Sequence, residues 1–250
     1  MEAADNARVR FSLIIPAFNE EQYLPRLLDT VDVARARYDG GPGAIEVVVA
    51  DNASTDATAA VARERGCQVA YVEKRAIAAS RNGGARIARG EVFAFVDADS
   101  RIHPDVFNAI DRALATGKVV GGSTGVKLDR MSLGIAMSYV MMVPLVWLTN
   151  MDTGVVFCRR EDFEAIGGYN EKRLFAEDVE LLLALIKRGR ARGQKLVRVR
   201  SVKTTTSTRK WDKHGEWHYF GLMFRGACSP FLSAKTIERW ARAYWYDDRK

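Results

Sequence analysis

The sequence predicts an α/β fold with a mostly parallel central sheet. Its 250 residues are 48% apolar, which is enough to bury a sizeable core. Short β-rich apolar runs alternate with segments in which apolar residues recur at helical spacing. An alternation of strands and helices builds βαβ units with right-handed crossovers, and therefore a largely parallel sheet.

The first half of the chain contains four predicted strands: RFSLIIP, IEVVVAD, QVAYVE and EVFAFVDAD. The first helix is expected to start near Pro25, because proline suits the first helical turn. Ser54 or Thr55 is expected to cap the second helix, which ends near Gly66. The third helix is predicted from Ala76 to Arg89.

The second half is less regular. No charge occurs from Met131 to Met151, a segment long enough to span a bilayer. Its polar residues and Pro144 favour a buried or membrane-facing helix instead. The run FAEDVELLLALIKRG predicts a helix that opens at Glu177 or Asp178. From Arg188 to Lys213 there are ten Lys or Arg residues and one acid.

Acidic side chains follow three of the predicted strands, namely Glu20, Asp51, Asp97 and Asp99. In a parallel sheet these strand ends share one edge, where ligands bind. Carboxylates so gathered repel one another unless a cation or hydrogen-bond donors lie between them. The Asp-x-Asp pair suits Mg²⁺ or Mn²⁺ on a diphosphate, because these cations prefer carboxylate and phosphate oxygen.

Other charged residues leave two interpretations open. Asp178 is either a helix cap or, if its helix faces the same edge, a general base for a hydroxyl group. Arg75, Arg81 and Arg209 are either partners of a diphosphate or solvated surface charges.

The overall charge and the cysteines indicate which kinds of partner and which cellular compartment to expect. A net charge of +7 favours anionic partners: nucleotide phosphates, nucleic acid or an acidic membrane face. The three cysteines are scattered without a CxxC motif, which indicates a reducing compartment. The N-terminal residues show no signal-peptide pattern.

Five segments in order resemble the successive motifs of glycosyltransferase family 2: SLIIPAFNEEQYL, VVVADNASTDAT, RNGGARIARGEVFAFVDADS, GGYNE and FAEDVELLLAL. The resemblance runs from Phe11 to about Ile186. It implies a GT-A fold and an inverting, metal-dependent transfer of a sugar from a nucleoside diphosphate to an acceptor hydroxyl. Asn52 departs from the pattern, since many members have a second Asp there.

The resemblance also implies roles for particular residues. Asp99 binds Mg²⁺ or Mn²⁺, Asp97 lies by the ribose or sugar, and Asp178 is the general base. The segment STRKW is similar to a late basic-aromatic motif and adds Arg209 to the donor site. The predicted donor-binding set is Pro16, Phe18, Glu20, Asp51, Arg75, Arg81, Asp97 and Arg209.

We therefore expect one domain with three parts. Residues 8–117 form the nucleotide-sugar half, 118–210 the acceptor-binding and catalytic-base half, and 211–250 a basic aromatic segment. The expected partners are a nucleoside-diphosphate sugar, a hydroxyl-bearing glycan, lipid-linked or small-molecule acceptor, and an anionic membrane surface, but not nucleic acid. The expected location is the cytoplasm, with peripheral attachment to the inner face of the cell membrane as a further hypothesis.

Three other classes of protein fit the sequence less well. A nucleotidyltransferase needs a glycine-rich basic loop after the first strand, where this chain has PAFNEE. A dinucleotide oxidoreductase needs GxGxxG at that place, and it is absent from the sequence. A non-catalytic membrane-associated binding protein would explain the basic, aromatic C-terminal third, but it has no need of four clustered acids.

Overall fold

A computed structural model describes residues 8–138, 140, 149–172, 176–215 and 217. The strands in these ranges are β1 (Phe11–Ala17), β2 (Ile45–Asp51), β3 (Gln68–Tyr71), β4 (Val92–Phe95), β5 (Ser100–Arg101), β6 (Val119–Leu128), β7 (Val156–Arg159) and β8 (Lys195–Thr206). The helices with defined bounds are α1 (Leu24–Ala36), α2 (Thr58–Glu64), α3 (Ile77–Ile87), α4 (Val106–Ala115), α5 (Arg160–Ala165), α6 (Glu177–Arg190) and α7 (Arg209–His214). A short 3₁₀ helix covers Pro42–Ala44.

The described strands form one sheet in the order β3-β2-β1-β4-β7-β6-β8-β5. Strands β1 to β4 pair in parallel, as do β6 and β8, whereas β7 is antiparallel to both β4 and β6. Because β7 reverses direction between them, β4 and β6 point the same way. The carboxyl ends of β1, β2, β4, β6 and β8 therefore meet at one side of the sheet, which we call the carboxyl edge. The expected α/β fold with a mostly parallel sheet is confirmed.

The core lies on both faces of this sheet, because successive side chains of a strand point to opposite faces. Leu13 and Ile15 of β1 belong to the cluster that includes buried side chains of α1 and α4. Ile14, between them, belongs to the cluster formed with α3 and α6. Helices therefore cover the sheet on both sides, and the N-terminal ends of α3 and α6 reach the carboxyl edge.

Helix α3 packs against the sheet through Gly84, where no side chain separates them. A Cβ atom at this position would lie 2.6 Å from Cγ2 of Ile14 and 3.3 Å from Cβ of Ala50. The absence of a side chain thus permits close packing of α3 on β1 and β2. This packing fixes the position of Arg81, one turn earlier on the same helix.

The expected capping of α2 by Ser54 or Thr55 is wrong, since the helix starts at Thr58. Both residues are engaged by Asn19 in the loop after β1. The backbone N–H of Asn19 donates to Oγ of Ser54, and the backbone N–H of Thr55 donates to Oδ1 of Asn19. Asp56 accepts from the backbone N–H of Thr58 instead, over 3.0 Å. These bonds tie the first two loops of the carboxyl edge together.

The uncharged segment from Met131 to Met151 lies partly outside the described residues, as does most of the segment 211–250. Residues 133–138 are helical. None of the helices in the described ranges combines the length and the apolar character that crossing a bilayer requires.

Gly84→Ala should lower the free energy of unfolding by up to about 2 kcal/mol. Overlap of the added methyl group with Ile14 costs about 1–3 kcal/mol in a tightly packed interface, and alanine returns about 1 kcal/mol in a helix interior. Urea unfolding measures the difference. Gly43→Ala is the matched control, since nothing lies within 4 Å of the position that its added methyl group would take, and equal stability of both variants would contradict this packing.

Candidate active site

The buried guanidinium of Arg81 joins the end of β4 to the start of α6. Its side chain is 5% exposed. One terminal nitrogen, Nη2, donates to Oδ1 of Asp97 over 3.0 Å. The other, Nη1, donates to Oδ1 of Asp178 over 2.8 Å and to Oε1 of Glu177 over 3.1 Å. We call these four residues the Arg81 cluster.

Tyr169 supports this cluster from the loop before α6. Its hydroxyl donates to Oδ1 of Asp178 over 2.9 Å, and its ring lies 5.1 Å from the guanidinium carbon of Arg81. Asn82 fixes the tyrosine backbone, accepting from its N–H and donating to its carbonyl oxygen. The sequence motif GGYNE contains this residue, but its role was missed because the hydroxyl and its acceptor are brought together only by the fold.

Burial and ion pairing shift several pKa values in this cluster. Burial alone would lower the pKa of Arg81, but the charge of Asp178 and its neighbours outweighs it and raises that pKa well above the ordinary value. Burial, followed by the charge of Asp178, raises the pKa of Tyr169. Burial also raises the pKa of Glu177, although Arg81 opposes the shift. At neutral pH the guanidinium is therefore charged and the phenol is a hydrogen-bond donor.

Arg209, at the start of α7, is the centre of a second group of acids. Its terminal nitrogens donate to both oxygens of Glu20, over 2.6 and 2.9 Å. Its Nε lies 2.8 Å from Oδ2 of Asp99. The guanidinium also lies over the ring of Tyr23, at 4.6 Å from the ring centroid. We call these four residues the Arg209 cluster.

The two clusters change the interpretation of the acid pair in FVDADS. The sequence suggested that a bound ligand supplies the missing counter-charge. In the structure the chain supplies one itself, because Asp97 faces Arg81 and Asp99 faces Arg209. The side chain of Asp97 is still 54% exposed, whereas that of Asp99 is 11% exposed. Asp97 is thus the more open acid of this pair, and Asp99 keeps a smaller exposed surface.

The remaining predicted donor residues lie at the ends of β1 and β2. Pro16 and Asp51 belong to these strands, and Oδ1 of Asp51 accepts from the backbone N–H of Ser54 over 3.1 Å. Phe18 follows β1, and its ring lies 4.5 Å from the guanidinium carbon of Arg75. All the predicted site residues therefore lie along the carboxyl edge, although their roles remain predictions.

Asn52, which departs from the family pattern, has a structural role. Its side-chain amide donates to the carbonyl oxygens of Val72 and Lys74 over 2.9 and 2.7 Å. An aspartate cannot donate these two bonds at neutral pH. Asn52 thereby fixes the loop after β3, which carries Arg75.

Backbone strain is concentrated at this edge. Asn19, Ala53 and Ala176 have φ values of 53°, 58° and 58°, in the left-handed region that costs L-residues about 1–3 kcal/mol each. Asn19 lies after β1, Ala53 lies after β2, and Ala176 lies directly before α6. Strain of this kind persists where the surrounding contacts hold a loop in a fixed conformation, and it is common at functional sites.

The carboxyl edge offers oxygen ligands that suit a divalent cation. The described residues contain no group of three or more His, Cys, Asp or Glu side chains that could hold a metal ion. Mg²⁺ usually takes only one or two carboxylates and completes its shell with water and phosphate oxygens. Asp97 and Asp99 therefore fit a cation that is shared with a bound diphosphate, but not one held by the protein alone.

This architecture defines a GT-A glycosyltransferase fold: a largely parallel sheet with acids along its carboxyl edge and a further acid at the start of a following helix. The chain belongs to glycosyl transferase family 2, whose sequence pattern matches residues 12–229. The fold and the family inferred from the motifs are both confirmed.

Named relatives and solved structures agree with this assignment. Validoxylamine A glucosyltransferase from Streptomyces hygroscopicus subsp. limoneus is 39% identical over 92 residues, which are 34% of this chain and 19% of that protein. The mannosyltransferase PcManGT from Pyrobaculum calidifontis, in complex with GDP-Man and Mn²⁺, superposes with a TM-score of 0.62 at 23% identity, covering 80% of this chain and 57% of that one. S. aureus TarS 1-349 in complex with UDP gives a TM-score of 0.59 at 19% identity, with coverages of 80% and 60%.

The chain spans about a fifth of the length of the validoxylamine A glucosyltransferase and 57–60% of the two superposed chains. These likenesses therefore establish the fold and the family of the matched region. The reaction, the substrates and the partners of this protein are inferred below from the site.

Glu177→Gln should stabilise the protein at neutral pH but not at acidic pH. Because the folded-state pKa of Glu177 lies above the ordinary value of 4.5, wild-type stability falls as pH rises from 4.5 through that pKa. Glutamine still accepts a hydrogen bond from Arg81 and removes this loss. Urea unfolding at pH 4 and pH 7 should show an advantage of the variant only at pH 7.

The control is Glu64→Gln, because Glu64 is exposed on α2. Glu64→Gln removes the same charge without touching the Arg81 cluster, so it should not reproduce the stabilisation of Glu177→Gln at pH 7. An advantage of Glu177→Gln that is equal at both pH values would contradict a raised pKa for this carboxyl.

Proposed function

We propose that this chain is an inverting glycosyltransferase that moves a sugar from a nucleoside-diphosphate donor to an acceptor hydroxyl. One observation carries the proposal: at the carboxyl edge of a family 2 fold, Asp178 is held by Arg81 and Tyr169 beside the strand-end acid Asp97. This geometry keeps a candidate base at a fixed distance from candidate donor-binding residues.

The donor site in this proposal follows the ends of β1, β2 and β4. Asp51 and the stacked pair of Phe18 and Arg75 would bind the nucleoside, with Pro16 shaping the strand end. The printed ligands of the structural neighbours support a donor of this class, because PcManGT was solved with GDP-Man and TarS with UDP.

The diphosphate would lie between Asp97, Asp99 and Arg209. Asp99, together with Asp97, would hold Mg²⁺ or Mn²⁺, and a divalent ion at this place neutralises the charge that develops on a leaving diphosphate. The presence of Mn²⁺ with GDP-Man in PcManGT supports a divalent ion. Arg209 contributes a fixed positive charge, since Glu20 and Asp99 orient its guanidinium.

Asp178 is the proposed general base. Both of its hydrogen bonds in the described part of the chain are made to Oδ1, so Oδ2 is left to accept the proton of the acceptor hydroxyl. The acceptor oxygen forms a bond to the anomeric carbon as the bond from that carbon to the diphosphate breaks. Attack opposite the leaving group inverts the configuration at this carbon.

A membrane-delivered acceptor is part of the proposal. Met131, Leu133, Met137 and Val140 are large apolar residues with exposed side chains in the uncharged segment. Apolar side chains and nearby Lys and Arg residues together favour binding to an anionic membrane surface. This location stays a prediction, as does the cytoplasmic side of the membrane.

The proposal predicts opposite defects for two variants. Asp99→Asn should lose the Mn²⁺-dependent binding of UDP or GDP, because one ligand of the cation is removed. Asp178→Asn should keep that binding within about threefold and lose at least about a hundredfold in turnover, the usual contribution of a positioned base. Calorimetric titration and sugar-nucleotide hydrolysis or transfer measure the two effects.

Asp39→Asn is the control, because Asp39 is an exposed aspartate away from the carboxyl edge, and it should change neither quantity. Unchanged Mn²⁺-dependent titration of Asp99→Asn would remove the metal role of that residue. A wild-type rate in Asp178→Asn would show that the base lies elsewhere, with Glu177 as the next candidate.

A further inference from the structure

A cavity of about 400 Å³ lies beside the carboxyl edge, next to α1. Its walls come from α1, from β5 and the residues after it, and from the ends of β6 and β8. The lining residues include Thr30, Arg101, His103, Lys127, Lys203 and Thr205. None of them belongs to the donor-binding set or to the proposed catalytic group.

Strand register explains why three cations face this cavity. Arg101 of β5 and Lys127 of β6 both pair with Thr205 of β8, which lies between them. Side chains of directly paired residues point to the same face of a sheet. Lys203 precedes Thr205 by two residues, so it shares that face as well.

These three cations lack a matching set of acids. No ion pair of Arg101, Lys127 or Lys203 occurs within the described ranges. The acid among the lining residues is Asp129, whose Oδ1 already accepts from the backbone N–H and the hydroxyl of Thr208. Positive charges that line one cavity repel one another and attract an anion.

We propose that this cavity is a phosphate-binding subsite, distinct from the donor diphosphate site. Arginine forms paired hydrogen bonds to phosphate oxygens, and lysine adds positive charge. The volume of the cavity lies within the range of small-ligand pockets. It is large enough for a phosphate ester as well as for a free phosphate ion. The ester is either a soluble phosphorylated molecule or the headgroup of a phospholipid, because both present the same group.

The position of the subsite suggests what the phosphate does. Arg101 is two residues from Asp99 on the segment that leaves β4. Lys203 and Thr205 lie on β8, a few residues before Arg209 at the start of α7. The subsite is thus built from the same two chain segments as the Arg209 side of the donor site. If the chain transfers sugars as proposed, the phosphate held in this subsite is that of the acceptor, and this role of the subsite depends on the glycosyltransferase function.

The experiment titrates the whole chain with inorganic phosphate, with phenyl phosphate, and with phosphatidylcholine vesicles that contain phosphatidic acid. The test variant is Lys127→Gln/Lys203→Gln. The matched control is Lys118→Gln/Lys195→Gln, which removes two exposed lysines: Lys118, directly before β6, and Lys195, the first residue of β8. Both variants carry the same net charge, and thermal unfolding verifies that both are folded.

The test variant should bind the phosphate probe about tenfold more weakly than wild type, because two charge-assisted contacts are lost. The control should stay within about twofold. A loss seen with the soluble probes identifies a soluble ester as the ligand, and a loss confined to vesicles identifies the lipid headgroup. Equal affinities of the two variants, or no binding of any probe by wild type, would overturn the proposal.

Titration of UDP with Mn²⁺ separates this proposal from the glycosyltransferase function. The test variant should bind UDP as wild type does, since the altered lysines are not in the donor set. If no form of the protein binds a nucleotide but phosphate binding still depends on the lysine pair, the proposed donor site fails and the subsite stands.

Discussion

The rest of the site depends on the buried ion pairs of the Arg81 cluster. One guanidinium holds Asp97, Glu177 and Asp178, which come from a strand end and from the start of a helix. Removing the cation of a buried ion pair costs about 3–5 kcal/mol, because the carboxylate is left without a counter-charge. Loss of the guanidinium would leave three carboxylates facing each other. The close packing of α3 through Gly84 and the hydrogen bond from Tyr169 are the contacts that keep this cluster assembled.

The two arginine clusters meet in the short loop from Asp97 to Asp99. Arg81 holds one end of this loop and Arg209 holds the other. The donor-side acids and the candidate base are therefore connected, because the backbone from Asp97 to Asp99 joins the Arg81 cluster to the Arg209 cluster. This arrangement explains why an apolar strand ends in two acids, since each acid has an arginine partner brought in by a different helix. It also leaves Asp97 exposed enough to contact a ligand.

The sequence predicted most of the first half of the fold, because strand runs, helical spacing and turn residues are local signals. β1, β2, β3 and β4 were located, and their acids were correctly assigned to one edge. The partners of those acids were not predictable, since Arg81 and Asp178 are 97 positions apart and Arg209 and Glu20 are 189 apart. The start of α2 was misjudged for the same reason, because Asn19 engages the expected capping residues from another loop. In the second half, the pairing of β6 with β7 and β8 depends on contacts that no short pattern encodes.

A double-mutant cycle in urea unfolding tests most directly whether Arg81 and Asp178 form one electrostatic unit. The cycle compares Arg81→Met, Asp178→Asn and the double variant, with Arg81→Met and Asp39→Asn as a control pair. We predict a coupling free energy of about 2 kcal/mol for Arg81 and Asp178, because Arg81→Met costs less once the carboxylate charge is gone. The control pair should be additive. Additivity of Arg81→Met and Asp178→Asn within about 0.5 kcal/mol would contradict the account.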